Sequence, residues 1–284
     1  MKMQIVFKVR GLAAPEEGMF FGKDILMRGV SNTDFSYVFM RGSVESKEKE
    51  DEFQRECLSS MINILQTYGL VKNIFAEILS WIVEEISSDE LFGNPETIAK
   101  LKVVHYYNRK QRLDNVPLLR RTLKRYETTK AVFAKRELLY LRNAIYYYWR
   151  SLGDTRLEQQ LIDLFISLES LFLIEAQELR LRISLRASSL LSLGQERERY
   201  GIFRTVYDLY DKRSGIVHGN ETVKLEIQEV STLRNCVRES INRLAHANMP
   251  KQDILRLLDD SFFGKEKDQI LAERVLGNKR DSTV

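Results

Sequence analysis

The sequence predicts a mainly α protein: a helical bundle preceded by a smaller α/β N-terminal region with a short antiparallel sheet, divided into residues 1–127 and 128–284. Three observations carry that reading. Residues 3 to 10 alternate, with Ile5, Phe7 and Val9 on one side and Gln4, Lys8 and Arg10 on the other, the period of a half-buried strand. Beyond about residue 128 apolar residues recur at three- and four-residue spacing over long stretches, the period of helices that bury one face. The 284 residues, 44% hydrophobic with only four prolines, suffice for one large core or two smaller ones and contain few helix breakers.

In chain order, two strand-like runs follow the first, Met19 to Val30 (interrupted by Gly22-Lys23-Asp24) and Phe35 to Met40, with Gly11, Gly18, Gly29 and Asn32 as turns. Ser46 to Glu52 opens a helix with Phe53, Cys57, Met61, Ile64 and Tyr68 on one face, and Gly69 is expected to end it. A second helix is expected from Lys72 to Leu91, with Ile74, Ile78, Trp81 or Ile82, and Ile86 inward, stopped by Gly93-Asn94-Pro95. The pattern weakens from Glu96 to Thr129, where a short helix or strand near Ile98 to Tyr107, a loop around Asn115-Val116-Pro117 and a basic segment are read.

The second region is helix upon helix. Ala131 to Leu152 turns Leu138, Leu141, Ile145 and Tyr148 inward and ends at Gly153. Asp154 to Leu157 supplies the next N-cap, and Leu157, Leu161, Leu164, Phe165, Leu168, Leu171 and Phe172 form an apolar stripe with Glu169 beside it. Helices over Ala176 to Leu193, Glu196 to Lys212 and Leu225 to Ala247 follow, then, after Pro250, an amphipathic pair at Asp253 to Phe262 and Lys265 to Leu276 and a frayed tail. There is no internal repeat and no low-complexity tract.

Composition narrows the function. The two cysteines, Cys57 and Cys236, lie in no Cys-x-x-Cys or Cys/His cluster, so they read as reduced, buried thiols of a cytoplasmic protein, with no metal and no cofactor expected. The apolar run before Lys8 and Arg10 is too short for a signal peptide, and no window is both long and uncharged enough for a membrane span. The net charge of +4 is modest, but seven cations fall within Arg109 to Arg125 against Asp114 alone. Within that segment Arg120, Arg121, Lys124 and Arg125 are the candidate contacts to RNA. A solvated helix face is the plainer reading of such a run.

Of the three histidines, His105 and His246 read as structural; only His218 has an arginine five residues before it, Arg213, with Tyr207 and Tyr210 upstream. A guanidinium that stabilises phosphate charge and an imidazole that moves protons near neutral pH suffice, in principle, to cleave RNA without a metal. Ser214-Gly215 is expected to break the helix so that His218 folds back toward Arg213, with Gly219 leaving room for a phosphate. The aromatic cluster Tyr146 to Trp149 reads as core ahead of base stacking.

Tyr210-Asp211-Lys212-Arg213-Ser214-Gly215-Ile216-Val217-His218-Gly219 resembles the signature of HEPN domains, in particular the Apea-like branch, marked by Arg, a polar residue, a few more positions and His. Leu161 to Phe172 and Arg182 to Leu191 resemble the same branch in the same order, so the resemblance covers about residues 128 to 250 and leaves residues 1 to 127 without a counterpart. It implies a helical bundle that forms a homodimer in which two Arg/His motifs face each other and cut RNA without metal. Carried to this chain, it makes Arg213 and His218 the catalytic pair and Ser214 their polar support. Glu169 and Arg186 match charged positions within apolar helices, and an ion pair between them is expected to brace the site; Asn220 stands where it can touch a sugar or phosphate. The resemblance suggests a toxin or phage-defence setting. The alternative is a non-catalytic HEPN module that binds RNA, a nucleotide or a partner protein.

Overall fold

The computed structural model describes residues 2–12, 14, 18–21, 24–29, 35–46, 49–72, 77–86, 132, 134–193, 196–220 and 222–276. The chain divides into two compact units, Met1–Thr128 and Thr129–Val284. The architecture is mainly α, with an antiparallel sheet in the N-terminal unit.

The N-terminal unit holds strands β1 (Lys2–Arg10), β2 (Met19–Phe21), β3 (Ile25–Gly29), β4 (Phe35–Ser43) and β5 (Glu77–Ile86) and helix α1 (Glu50–Lys72). The sheet order is β2-β3-β4-β1-β5. The first strand is its centre, pairing Ile5 with Met40 on one side and with Val83 on the other. On one face Ile5, Phe7 and Val9 pack with Met27, Val38 and Met40 beneath Cys57, Met61, Ile64 and Tyr68 of α1. The helix approaches so closely that a Cβ at Gly42 would lie 2.7 Å from the Phe53 ring.

Three expectations change in this unit. The segment expected as a second helix contains β5, because Ile78, Ile82, Val83 and Ile86 are β-branched and the free edge of β1 supplies a full ladder of partners. Helix α1 runs through Gly69 to Lys72, since the buried Leu70 gains more from packing than the glycine costs. The polar face of β1 is not solvated: Gln4 and Lys8 are buried beside a second cluster of Val6, Leu26, Tyr37 and Phe39. Lys8 Nζ lies 4.7 Å from the centre of the Phe35 ring, and burial lowers its pKa.

The C-terminal unit is built of α2 (Leu139–Gly153), α3 (Leu157–Phe172), α4 (Leu179–Leu191), α5 (Glu196–Val217), α6 (Ile227–Ala247), α7 (Lys251–Asp260) and α8 (Lys265–Leu276), with short 3-10 turns at Arg136–Leu138 and Ser261–Phe263. The predicted stripes form its core: Leu138, Leu141, Ile145, Tyr148, Leu161, Leu164, Phe165, Leu168, Leu171 and Phe172 are fully buried, as are Val230, Leu233, Val237, Ile241 and Leu244. Of the aromatic cluster only Tyr148 is wholly inward, while Tyr146 is 42% exposed.

Small polar residues let the helices approach. Ser167 Oγ donates to the Ala144 carbonyl across α2 and α3 at 2.9 Å. Asp163, wholly buried on α3, accepts from Arg150 at 2.7 Å and from Gln159 at 3.0 Å, so the charge that burial would penalise is fully paired. No described helix is long and apolar enough to cross a membrane.

Candidate active site at the end of helix α5

The helix does not break at Ser214-Gly215. Helix α5 continues to Val217, and the His218 N–H still donates to the Ser214 carbonyl at 3.0 Å. The stop comes at Gly219, whose φ of +75° lies in the left-handed region that glycine tolerates. Its N–H donates to Ile216 O at 3.0 Å and the Asn220 N–H to Gly215 O at 2.9 Å, the two reverse bonds of a Schellman motif, which makes His218 the C-cap.

Gly215 has a different task from the one expected of it. A Cβ there would lie 2.8 Å from Val223 Cγ2, because the chain leaving the helix returns directly across it. The return is fastened at several points. Asn220 Oδ1 accepts from the Thr222 N–H at 3.0 Å and from its hydroxyl at 2.7 Å. Lys212 Nζ donates to the Lys224 carbonyl at 3.0 Å and to both Glu229 oxygens at 2.6 and 2.7 Å, holding the Glu229 carboxyl below its usual range against the effect of burial. Glu226 and Glu229 complete a capping box at the start of α6.

Arg213 and His218 therefore occupy different sides of one helix. Five residues place them about 140° apart around the axis. Arg213 is 21% exposed and faces α3, where its Nη2 stands 3.3 Å from Glu169 Oε1; its Nε is buried without a hydrogen-bond partner among the described residues. The guanidinium lies 5.5 Å from the Tyr210 ring, and that ring meets Phe165 edge-on at 5.2 Å. The Tyr210 hydroxyl donates to Glu169. Burial raises the Glu169 pKa, opposed by the Arg213 charge and by this hydrogen bond; burial and the Glu169 charge raise that of Tyr210. His218 is exposed to solvent, and Ser214 is half-buried between the two.

The expected ion pair between Glu169 and Arg186 is not formed. Arg186, 2% exposed, donates to Asp259 through Nε at 2.8 Å and Nη2 at 2.7 Å, to Glu175 at 2.8 and 3.0 Å, and to the Phe172 carbonyl at 2.5 Å. It fastens α4 to the end of α3 and to α7, and Glu169 is left to Arg213. Asn220 is likewise engaged in its own turn. Arg120, Arg121, Lys124, Arg125 and His105 lie outside the described residues. Sequence reasoning did not reach Tyr210 as the link between Glu169 and Arg213, nor the brace from Lys212 to Glu229; the signal for the first was Phe165 and Glu169 one turn apart on one helix against Tyr210 and Arg213 one turn apart on the other.

Family models, curated proteins and solved structures give no match to this chain. The site is therefore read from its own chemistry. It joins a guanidinium with an unused donor, a carboxylate and phenol that orient it, and a solvent-facing imidazole at a rigid helix end. Such a set can bind an anionic group and move a proton. Among the described residues, no group of three or more His, Cys, Asp or Glu side chains is placed to hold a metal ion. Both cysteines are free thiols, raised by burial to about 12 for Cys57 and about 11 for Cys236.

Proposed function

We propose that this chain is a metal-independent endoribonuclease of HEPN type, acting as a homodimer in the cytoplasm, in a toxin or phage-defence setting. The observation that carries the reading is the pairing, on the last turns of α5, of an oriented but incompletely used arginine, Arg213, with the exposed His218. RNA brings its own nucleophile, the 2′-hydroxyl, so the protein has only to remove its proton, stabilise the five-coordinate phosphate and protonate the departing 5′-oxygen.

The separation of Arg213 and His218 around the helix suits a two-fold arrangement. One chain's pair does not converge on a single phosphate, whereas two copies meeting at the ends of their α5 helices bring two imidazoles and two guanidinia to one cleft. One imidazole then serves as base and the other as acid, and the arginines hold the phosphate oxygens. Ser214 lies between the two groups as their polar support. The products are a 2′,3′-cyclic phosphate and a 5′-hydroxyl.

The test is incubation of the wild type and His218→Ala with total cellular RNA in EDTA, followed by mapping of fragment ends. Cleavage by the wild type alone, leaving cyclic phosphates, is the expected result; cleavage that EDTA abolishes would overturn the mechanism. A non-catalytic module that binds RNA, a nucleotide or a partner protein is the second reading. It is favoured by the engagement of Arg213 with Glu169, which is how a structural arginine is held, and RNA binding equal in both proteins without any cleavage would establish it.

A further inference from the structure

Among the described residues of the C-terminal unit, the partly or fully buried arginines are, with two exceptions, held by carboxylates: Arg150 by Asp163, Arg180 by Asp211, Arg182 and Arg186 by Glu175, Arg199 by Asp268, Arg213 by Glu169 and Arg243 by Glu239. The exceptions are neighbours. Arg234 and Arg238 stand one turn apart on α6, both partly buried, and neither pairs with a carboxylate among the described residues.

Arg234 donates through Nη2 to Gln160 Oε1, a neutral acceptor, and its Nε is buried without a hydrogen-bond partner among the described residues. The guanidinium charges of both residues act on the hydroxyl of Tyr148, which is itself fully buried on α2. Burial lowers the Arg234 pKa, and no carboxylate opposes that effect. Two like charges at this spacing repel, and a guanidinium withdrawn from water without a counterion is costly.

We propose that Arg234 and Arg238 form a binding site for a phosphate group. A phosphate carries the charge to offset two cations, and its oxygens accept from two planar donor forks at once. The site is separate from Arg213. Gln160, which marks it, lies nine residues before Glu169 on α3, about 13 Å along the helix axis at the usual rise. The proposal stands independently of the ribonuclease reading. The phosphate can come from a free anion or nucleotide, or from the 5′ end of an RNA strand.

The test is calorimetric titration of the full chain, at constant ionic strength, with inorganic phosphate and with one 2′-O-methyl oligonucleotide prepared with and without a 5′-phosphate. Saturable phosphate binding, weakened at least tenfold in Arg234→Gln and in Arg238→Gln but unchanged in Arg204→Gln, is the expected result. Tighter binding of the 5′-phosphorylated strand than of its 5′-hydroxyl form would identify the RNA end as the source, and equal binding of the two would assign the site to the free anion. The arginine Nε–H resonances of the wild type give a second readout that needs no variant, with Arg234 shifting on addition of phosphate. No saturable phosphate binding by the wild type, binding retained in either glutamine variant, or an unmoved Arg234 resonance would overturn the proposal.

Discussion

Arg213 and Glu169 face each other from helices α5 and α3, Nη2 to Oε1 at 3.3 Å, and Tyr210 completes the contact by donating to the carboxylate while its ring lies beside the guanidinium. The three side chains form one unit. Burial disfavours the Glu169 charge, and the arginine and the phenol together offset part of that cost.

Tyr210→Phe isolates the hydrogen bond, since the ring and its edge contact with Phe165 remain. The expected loss at neutral pH is about 1 kcal/mol, the ordinary worth of one such bond. Glu169 has a folded pKa above its ordinary value, so protonating it favours the folded state at acid pH and that contribution is lost as pH rises through the folded value. Removing the phenol raises this pKa further. The deficit of the variant is therefore largest where Glu169 is ionised and shrinks on acidification; urea denaturation at pH 7 and pH 4 checks it, and a deficit that grows toward pH 4 would refute the assignment.

The sequence made the helical unit legible because period and burial agree there: every residue of the α3 stripe from Leu161 to Phe172 is fully buried where its spacing places it. It misled where local pattern and tertiary partner disagree. Ile78, Ile82 and Ile86 fit a helical face as well as a strand, and only the waiting edge of β1 decides between them. At the candidate site the residues were visible but their partners were not. Glu169 and Arg186 are both charges in apolar helices, and pairing them ignores that Glu175 and Asp259 lie within reach of Arg186 only after the chain has folded.

Exchange of charge between Glu169 and Arg186 accordingly rescues nothing. Glu169→Arg confronts Arg213, and Arg186→Glu confronts Glu175 and Asp259, so the double variant carries both repulsions. Arg186→Met alone leaves Asp259 and the Phe172 carbonyl without their donor and Glu175 with Arg182 only; because both carboxylates reach water, the expected loss is about 1–3 kcal/mol. A double-mutant cycle between Arg186 and Asp259, read by chemical denaturation, should give a coupling energy well above that of Arg186 with Glu169.

Acid stability follows from Glu175. The Arg186 guanidinium holds this carboxyl at about 2, well below its ordinary 4.5. A depressed carboxyl contributes stability that is present above the unfolded value and is lost as pH falls through the folded one. Thermal melts of the wild type should thus decline between about pH 4.5 and 2 through this group, while Glu175→Gln, weaker at pH 7, should decline less over the same interval. Parallel curves for the two proteins would remove Glu175 from the acid transition.

Gly215→Ala sets two effects of opposite sign against each other. Alanine in a helix interior is favoured over glycine by about 1 kcal/mol, so a residue whose only task was to loosen the helix would be improved by the change. The added Cβ, however, would stand 2.8 Å from Val223 Cγ2, and valine has few rotamers with which to yield. Overpacking of this kind costs about 1–3 kcal/mol, so net destabilisation is expected, with the turn that carries His218 displaced. Val223→Ala should return the stability that Gly215→Ala removes, and in the double variant the helix preference alone should remain. If Gly215→Ala by itself raised the melting temperature, the close return of the loop across α5 would be wrong, and with it the rigid placement of His218 beyond the Schellman turn.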